Sequence, residues 1–186
     1  LVIALMWFKK AAEGGNHGAQ RRLGCAYKEG ALGLKTDFDM ALMWFKKAAE
    51  GGDGDAQCRL GCAYENGFLG LKIDFDMALM WFKKAAEGGD GDAQWRLGVA
   101  YEDGDFGVVI NFKTARTYFQ DAAEGGDHDA QRRLGSAYMD GTLGLKTDLE
   151  AATMWLQKAA DGDSEDEEEE EKEEEEEREE EEQDGE

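Results

Sequence analysis

Apolar and polar positions follow one another along this chain with the period of an α-helix, in short segments. One segment has apolar or small residues at positions 56, 60, 63 and 64, and another has them at 41, 44, 45, 48 and 49. Spacings of three, four, seven and eight residues place such positions on one face of a helix. Glycines interrupt the segments, as at Gly67 and at the pair 51–52. The pattern predicts short amphipathic helices joined by tight turns.

Residues suited to helix termini flank these segments. Aspartate or asparagine precedes the first helix of each pair at Asn16, Asp53, Asp90 and Asp127, and the second at Asp37, Asp74, Asn111 and Asp148. Such side chains cap a helix by accepting a hydrogen bond from a free backbone N–H. A glycine follows each first helix, at Gly30, Gly67, Gly104 and Gly141. Glycine is favoured there because the residue after a helix often adopts a left-handed conformation.

The helix pair repeats every 37 residues without insertion or deletion. Ala-Gln begins at residues 19, 56, 93 and 130, Leu-Gly begins at 23, 60, 97 and 134, and an aromatic pair such as Trp44-Phe45 recurs in the second helix. Helices this short are not stable alone in water, so neighbouring units must stack and bury their aromatic residues. We expect Trp44, Trp81 and Trp155 to be core residues. The predicted bounds are a partial repeat at 1–18, units at 19–55, 56–92, 93–129 and 130–162, and a disordered acidic tail at 163–186.

The repeated residues resemble the Sel1-like repeat family, which is related to the tetratricopeptide repeat. They read Ala-Gln-x-Arg-Leu-Gly-x-Ala-Tyr-x-x-Gly, then Gly-Leu-x-x-Asp, then Ala-x-x-Trp-Phe-x-x-Ala-Ala-Glu-Gly. The resemblance extends over residues 1–162. It implies an all-α fold, a right-handed α-α superhelical solenoid of helix-loop-helix repeats. It also implies adaptor roles in membrane-protein quality control or signalling assemblies, with the first helix of each unit lining the concave groove.

Charge is distributed unevenly along the chain. The net charge is −22, but residues 161–186 hold 20 of the 43 acidic residues and two of the 21 basic ones, so the rest of the chain carries only −4. Repulsion between like charges and the lack of apolar groups prevent the tail from packing. The tail either keeps the chain soluble or attracts basic proteins. A flexible segment of this length would also reach the first-helix arginines described below and compete there with acidic ligands.

The cysteines and the apolar N-terminus bear on location. Three cysteines and no secretory signal favour a reducing compartment, so we expect a cytoplasmic or nuclear protein. The apolar run at 1–8 has its lysines on the wrong side for a signal peptide, and no other segment approaches the ~20 apolar residues of a membrane span. Because the chain begins inside a repeat, we interpret it as a fragment. Cys58 and Cys62 are four residues apart on a helix, but no further ligand completes a zinc site, so we predict no metal and no cofactor.

Four arginines at equivalent positions of the first helices are the main candidates for partner binding: Arg22, Arg59, Arg96 and Arg133. Guanidinium groups bind carboxylates through paired hydrogen bonds. By analogy with tetratricopeptide-type arrays, these arginines would face a partner in the groove. The alternative is that each arginine pairs with an aspartate of a neighbouring unit. Both interpretations remain open at this stage.

The position before each of these arginines differs from unit to unit: Arg21, Cys58, Trp95 and Arg132. Variation among otherwise similar units suggests exposure without a packing constraint. An exposed Trp95 beside arginine would resemble an interface hot spot. Partial burial of Trp95 against a neighbouring helix is the alternative.

The chain shows no catalytic triad, paired-carboxylate site or phosphate-binding loop. The sequence therefore favours a non-catalytic adaptor or scaffold that binds a peptide or protein in the solenoid groove, with no nucleic-acid partner. A second hypothesis is a chaperone or charge-mimic whose acidic tail binds basic proteins. Hydrolase activity, suggested for some relatives of the family, is a remote third.

Overall fold

The computed structural model describes residues 2–162, and this part of the chain is all-α, as predicted. The helices are α1 (Val2–Glu13), α2 (His17–Glu29), α3 (Phe38–Glu50), α4 (Gly54–Asn66), α5 (Phe75–Glu87), α6 (Gly91–Asp103), α7 (Phe112–Glu124), α8 (His128–Asp140) and α9 (149–162). A short 3-10 turn occupies Asp105–Gly107. From α1 to α8 each helix packs on the next one along the chain. The predicted acidic tail lies outside the described residues.

The predicted helix caps are confirmed. Asp53 accepts a hydrogen bond from the Ala56 amide at 2.8 Å, and Asp74 accepts one from the Met77 amide at 3.0 Å. The equivalent Asn or Asp residues cap the other helices from α2 to α9 in the same way. Gly67 follows α4 with a φ of 70°, and the glycines after α2, α6 and α8 are also left-handed. The units therefore begin and end their helices at equivalent residues.

The predicted stacking of the units is confirmed by the core. Trp44 and Trp81 are only 6% exposed and pack against the unit before them, whereas Trp7 in α1 is 58% exposed. Close packing explains the glycine of the Leu-Gly pair, because a Cβ on Gly61 would lie 2.5 Å from the Phe82 ring. Replacing such a glycine would force the two helices of a unit apart.

Two features of the connections were not predicted. In each loop between the two helices of a unit, one non-glycine residue is left-handed, with φ between 54° and 56°: Leu32, Leu69, Phe106 and Leu143. In addition, a buried glutamine links each unit to the one before it, as Gln57 does by donating a hydrogen bond to the Ala49 carbonyl at 2.9 Å. The same bond recurs at Gln20, Gln94 and Gln131. These bonds fix the angle at which α2, α4, α6 and α8 follow the preceding helix.

None of the helices described within residues 2–162 has the length and apolarity needed to cross a membrane.

Candidate functional site

Two of the four arginines pair with a glutamate of the preceding unit. Arg96 on α6 donates a hydrogen bond to Glu65 on α4 at 3.0 Å. Arg133 on α8 binds Glu102 on α6 through two nitrogens, with the bond from Nε at 3.0 Å. In both pairs the glutamate lies 31 residues before the arginine. We call such an arginine–glutamate pair a rung. The partner is glutamate and not the aspartate that the sequence suggested.

The rungs lie over the aromatic core. The guanidinium of Arg96 is 5.6 Å from the Phe82 ring centre, and that of Arg133 is 5.9 Å from Phe119. A cation over an aromatic face is attracted to the ring, and the flat guanidinium suits this position. Each rung arginine is therefore held by its glutamate and by a ring on the second helix of the preceding unit.

Arg59 has no such glutamate at the equivalent position of the unit before it. The residue 31 positions before Arg59 is Lys28, so a lysine stands where the rungs have glutamate. Among the described residues, the ion pair of Arg59 is with Asp55 on its own helix, at 3.5 Å. Lys28 contacts its neighbour Glu29 at 3.1 Å. We call the step between Lys28 and Arg59 the gap, because two cations stand there in place of a rung.

The fourth arginine, Arg22, is exposed on α2. Its guanidinium lies 6.0 Å from the Phe8 ring centre on α1. The structure thus places the four arginines on one face, formed by α2, α4, α6 and α8, but in different electrostatic environments. We call this surface the first-helix face. That these arginines bind a partner remains a prediction.

The four residues preceding the arginines do not share one environment. Cys58 is 5% exposed, so the expectation of an exposed position is wrong there. Trp95 is half-buried with its ring centre 5.1 Å from that of Phe119, which is the partial burial considered as the alternative. The physical reason is that this side of the first helix turns toward the second helix of its own unit, and an apolar side chain packs there.

At the two ends of the first-helix face, arginine fills this position and reaches carboxylates. Arg21 contacts Asp53, the cap of α4, at 3.3 Å and Asp55, in the first turn of α4, at 2.8 Å. The exposed Arg132 contacts Asp129 one turn earlier, at 2.7 Å. Because Asp55 also pairs with Arg21 at the shorter distance, its ion pair with Arg59 is weaker.

A cavity of about 650 Å³ opens at the gap. Its cations are Lys28, Arg59 and Arg96, and its carboxylates are Asp55 and Asp92. Aromatic and aliphatic side chains form much of the remaining wall: Phe38, Phe45, Phe68 and Leu69. Sequence analysis missed this site, although the signal was present. Aligning the units shows lysine at position 28 where the next two units have Glu65 and Glu102.

Cys58 and Cys62 also line this cavity. A hydrogen bond with Cys58 and the nearby Arg96 guanidinium lower the pKa of Cys62 to about 7, against the opposing effect of burial. The hydrogen bond with Cys62, burial and the charge of Asp90 raise the pKa of Cys58 far above its ordinary range. Cys62 therefore holds a substantial fraction of thiolate near neutral pH. Within the described residues, no three His, Cys, Asp or Glu side chains form a group suited to a metal ion.

Comparison with protein families identifies the repeat. A family model described as Sel1 repeat matches residues 1–16, 17–53, 54–90, 91–127 and 128–164. Each full match begins two residues before the unit predicted from the sequence, at or next to the start of a first helix. A comparison with curated proteins finds no match.

Solved structures show the same fold. The chain is 38% identical to a protective antigen of uropathogenic Escherichia coli with an SLR fold, at a TM-score of 0.76 over 84% of this chain and 33% of the antigen. It is 35% identical to a Sel1 repeat protein from Oxalobacter formigenes, at a TM-score of 0.78 over 84% of this chain and 63% of the other. The chain thus spans about a third of one relative and less than two thirds of the other.

Proposed function

Because this chain belongs to the Sel1 repeat family, we propose that it is a non-catalytic scaffold that binds a peptide or protein segment on its first-helix face. Sel1 repeats generally form protein-interaction scaffolds. The observation that carries the proposal for this chain is the cavity at the gap, where cations and apolar side chains face the same space. A partner could bury apolar surface and satisfy charge at one place, which is the usual composition of an interface centre.

The electrostatics of the first-helix face favour an acidic partner. At the rungs, Glu65 and Glu102 already neutralise their arginines. At the gap, the carboxylate that pairs with Arg59 among the described residues is Asp55, which also pairs with Arg21. The guanidinium group of arginine binds a carboxylate strongly through paired hydrogen bonds. It gains more from a ligand carboxylate when its present partner is distant or shared with another cation. The gap is therefore the part of the face with most to gain from an acidic ligand.

The proposal can be tested by selecting peptides from a random displayed library on the full chain. We expect the selected peptides to lose at least about tenfold in affinity, which is about 1.4 kcal/mol, when Arg59→Glu reverses a charge of the gap. Lys113→Glu is the matched control, because it makes the same charge change at an exposed position on the second helix α7. Peptides that bind both variants as well as the unchanged chain would contradict binding on the first-helix face.

A chain that ends at residue 162 separates this function from the hypothesis of a charge-mimic. A scaffold keeps its selected peptides when residues 163–186 are removed, whereas a charge-mimic loses its basic partners. If the tail's charge competes for the first-helix face, removing it tightens the binding of acidic peptides, most clearly at low salt where charges are least screened. Titration at 50 and 500 mM salt, with and without the tail, distinguishes these outcomes.

A further inference from the structure

We propose that the gap is an anchor site for one kind of ligand, a peptide segment in which a carboxylate side chain lies next to a large apolar side chain. Lys28 and Arg59 bind the carboxylate, and the cavity wall of Phe38, Phe68 and Leu69 covers the apolar side chain. This inference rests on the proposed function and assigns a ligand class to it.

The charge requirement follows from the contrast with the rungs. A ligand carboxylate at Arg96 or Arg133 would have to displace Glu65 or Glu102, whose hydrogen bonds are already formed. At Arg59 the corresponding place is held by Lys28, and a carboxylate there would bridge two cations. The chain as a whole carries a net charge of −22, so an acidic ligand is repelled unless local cations bind it. The gap supplies such cations next to a cavity.

The apolar requirement follows from the cavity wall. Phe68 is 61% exposed and Phe38 is 50% exposed, although both are large apolar side chains. A volume of about 650 Å³ accommodates a side chain together with adjoining backbone. An apolar side chain of the ligand would remove these two rings from water, and burial of apolar area is the main source of affinity at such a centre.

The next unit provides an internal comparison. A smaller cavity of about 270 Å³ is lined by Trp95, Arg96, Phe106 and three carboxylates, Glu65, Asp92 and Asp105. It has aromatic walls like the cavity at the gap, but its one arginine pairs with Glu65 and its other charges are negative. A carboxylate ligand is repelled from this second cavity. Both cavities have aromatic walls and they differ in local charge. The local charge therefore decides that the cavity at the gap accepts a carboxylate ligand.

Four capped hexapeptides of otherwise equal sequence test the proposal, with Phe-Glu, Phe-Gln, Ala-Glu or Phe-Lys at the two central positions. Their affinities for the full chain are measured by NMR titration. We expect Phe-Glu to bind most tightly and the other three to be at least about tenfold weaker, since each lacks the charge-assisted bond or the apolar contact. Equal binding of Phe-Gln would contradict the carboxylate site, and equal binding of Ala-Glu would contradict the apolar one.

The decisive variant is Lys28→Glu, which places a carboxylate 31 residues before Arg59, as in the two rungs. We expect it to weaken Phe-Glu binding at least tenfold while the melting temperature stays the same or rises, so that loss of folding cannot explain the result. Lys35→Glu makes the same charge change at an exposed loop position of the same unit and should leave binding unchanged. Binding that survives Lys28→Glu, or falls equally with Lys35→Glu, would overturn the proposal.

Cys62 gives a second readout at the same place. A ligand in the cavity should slow the alkylation of Cys62 by iodoacetamide, because Cys62 lines the wall, whereas Cys25 at the equivalent position of α2 should react at an unchanged rate. After proteolytic digestion, mass spectrometry of the fragments that contain Cys62 and Cys25 reports both alkylation rates in one sample. If library peptides bind the first-helix face but the Phe-Glu peptide neither binds nor protects Cys62, the scaffold function stands and this ligand class is wrong.

Discussion

The two rungs and the gap occupy equivalent places in successive units and differ mainly in one side chain. Glu65 and Glu102 close the rungs with Arg96 and Arg133, whereas Lys28 leaves Arg59 with a weak partner on its own helix. The flanking helices have the same length and are capped at equivalent positions by asparagine or aspartate at all three places. The comparison shows that a repeat array can turn one step into a candidate binding site without changing its backbone.

The comparison holds only while the shared core keeps the units equivalent. We expect Trp81→Ala to have the largest effect, a loss of roughly 3–5 kcal/mol in the free energy of unfolding, because it truncates a buried side chain between two units. Urea denaturation followed by circular dichroism measures the loss. Trp7→Ala is the control, since Trp7 is largely exposed in α1 and should cost much less. Equal losses would contradict the stacking of units through this tryptophan.

The helix caps make the helices begin at equivalent residues, both at the rungs and at the gap. Asp74→Ala removes the cap of α5 and should lower the free energy of unfolding by about 1 kcal/mol. Lys72→Ala, at an exposed position two residues earlier, should change it little. The same denaturation experiment applies. If Asp74→Ala and Trp81→Ala destabilised the chain equally, the distinction between cap and core would be wrong.

A rung should become a gap when its glutamate is replaced by lysine. We expect Glu65→Lys to lower the free energy of unfolding by up to about 1 kcal/mol, because a partly exposed ion pair contributes only that much. Glu50→Lys, at an exposed position of the second helix α3, is the matched control for the charge change. The loss should shrink at high salt, where the repulsion between lysine and Arg96 is screened. A loss of the same size for both variants would argue against the rung.

The smallest expected effect concerns the local charge at the cavity wall, which the pKa of the Cys62 thiol reports. Because its pKa is lowered to about 7, the alkylation rate should rise with pH and be half-maximal near pH 7. Cys58→Ala should move the midpoint upward, since it removes the hydrogen bond that lowers the pKa most, and Arg96→Gln should move it upward by a smaller amount. A midpoint that does not move in either variant would contradict both causes.

The repeat period, the helix caps and the core could be predicted from the sequence, because each depends on local spacing that recurs every 37 residues. Trp44, the cap at Asp53 and the glycine at position 61 are examples. The arginine pairs could not be predicted from spacing alone. Which residue faces Arg96 depends on how neighbouring first helices lie against each other, and the partner 31 residues earlier is Glu65.

The prediction that position 58 is exposed was wrong for a related reason. Its position varies between units, and variation was interpreted as exposure. In the structure the position turns toward the second helix of the same unit, so that it holds Cys58 in the core and Trp95 against Phe119, while arginine occupies it where carboxylates are within reach. Variation among units therefore marks a change of packing partner as well as a free surface.

The effect of Arg59→Gln on stability, measured with and without Lys28→Glu, tests the relation between rungs and gap most directly. In the unchanged chain Lys28 stands where the rungs have glutamate, so we expect Arg59→Gln to leave the free energy of unfolding unchanged or to raise it slightly. With Lys28→Glu present, the same substitution should cost about 0.2–1 kcal/mol, close to the cost of Arg96→Gln in the unchanged chain. A cost for Arg59→Gln that is the same in both backgrounds would contradict the gap.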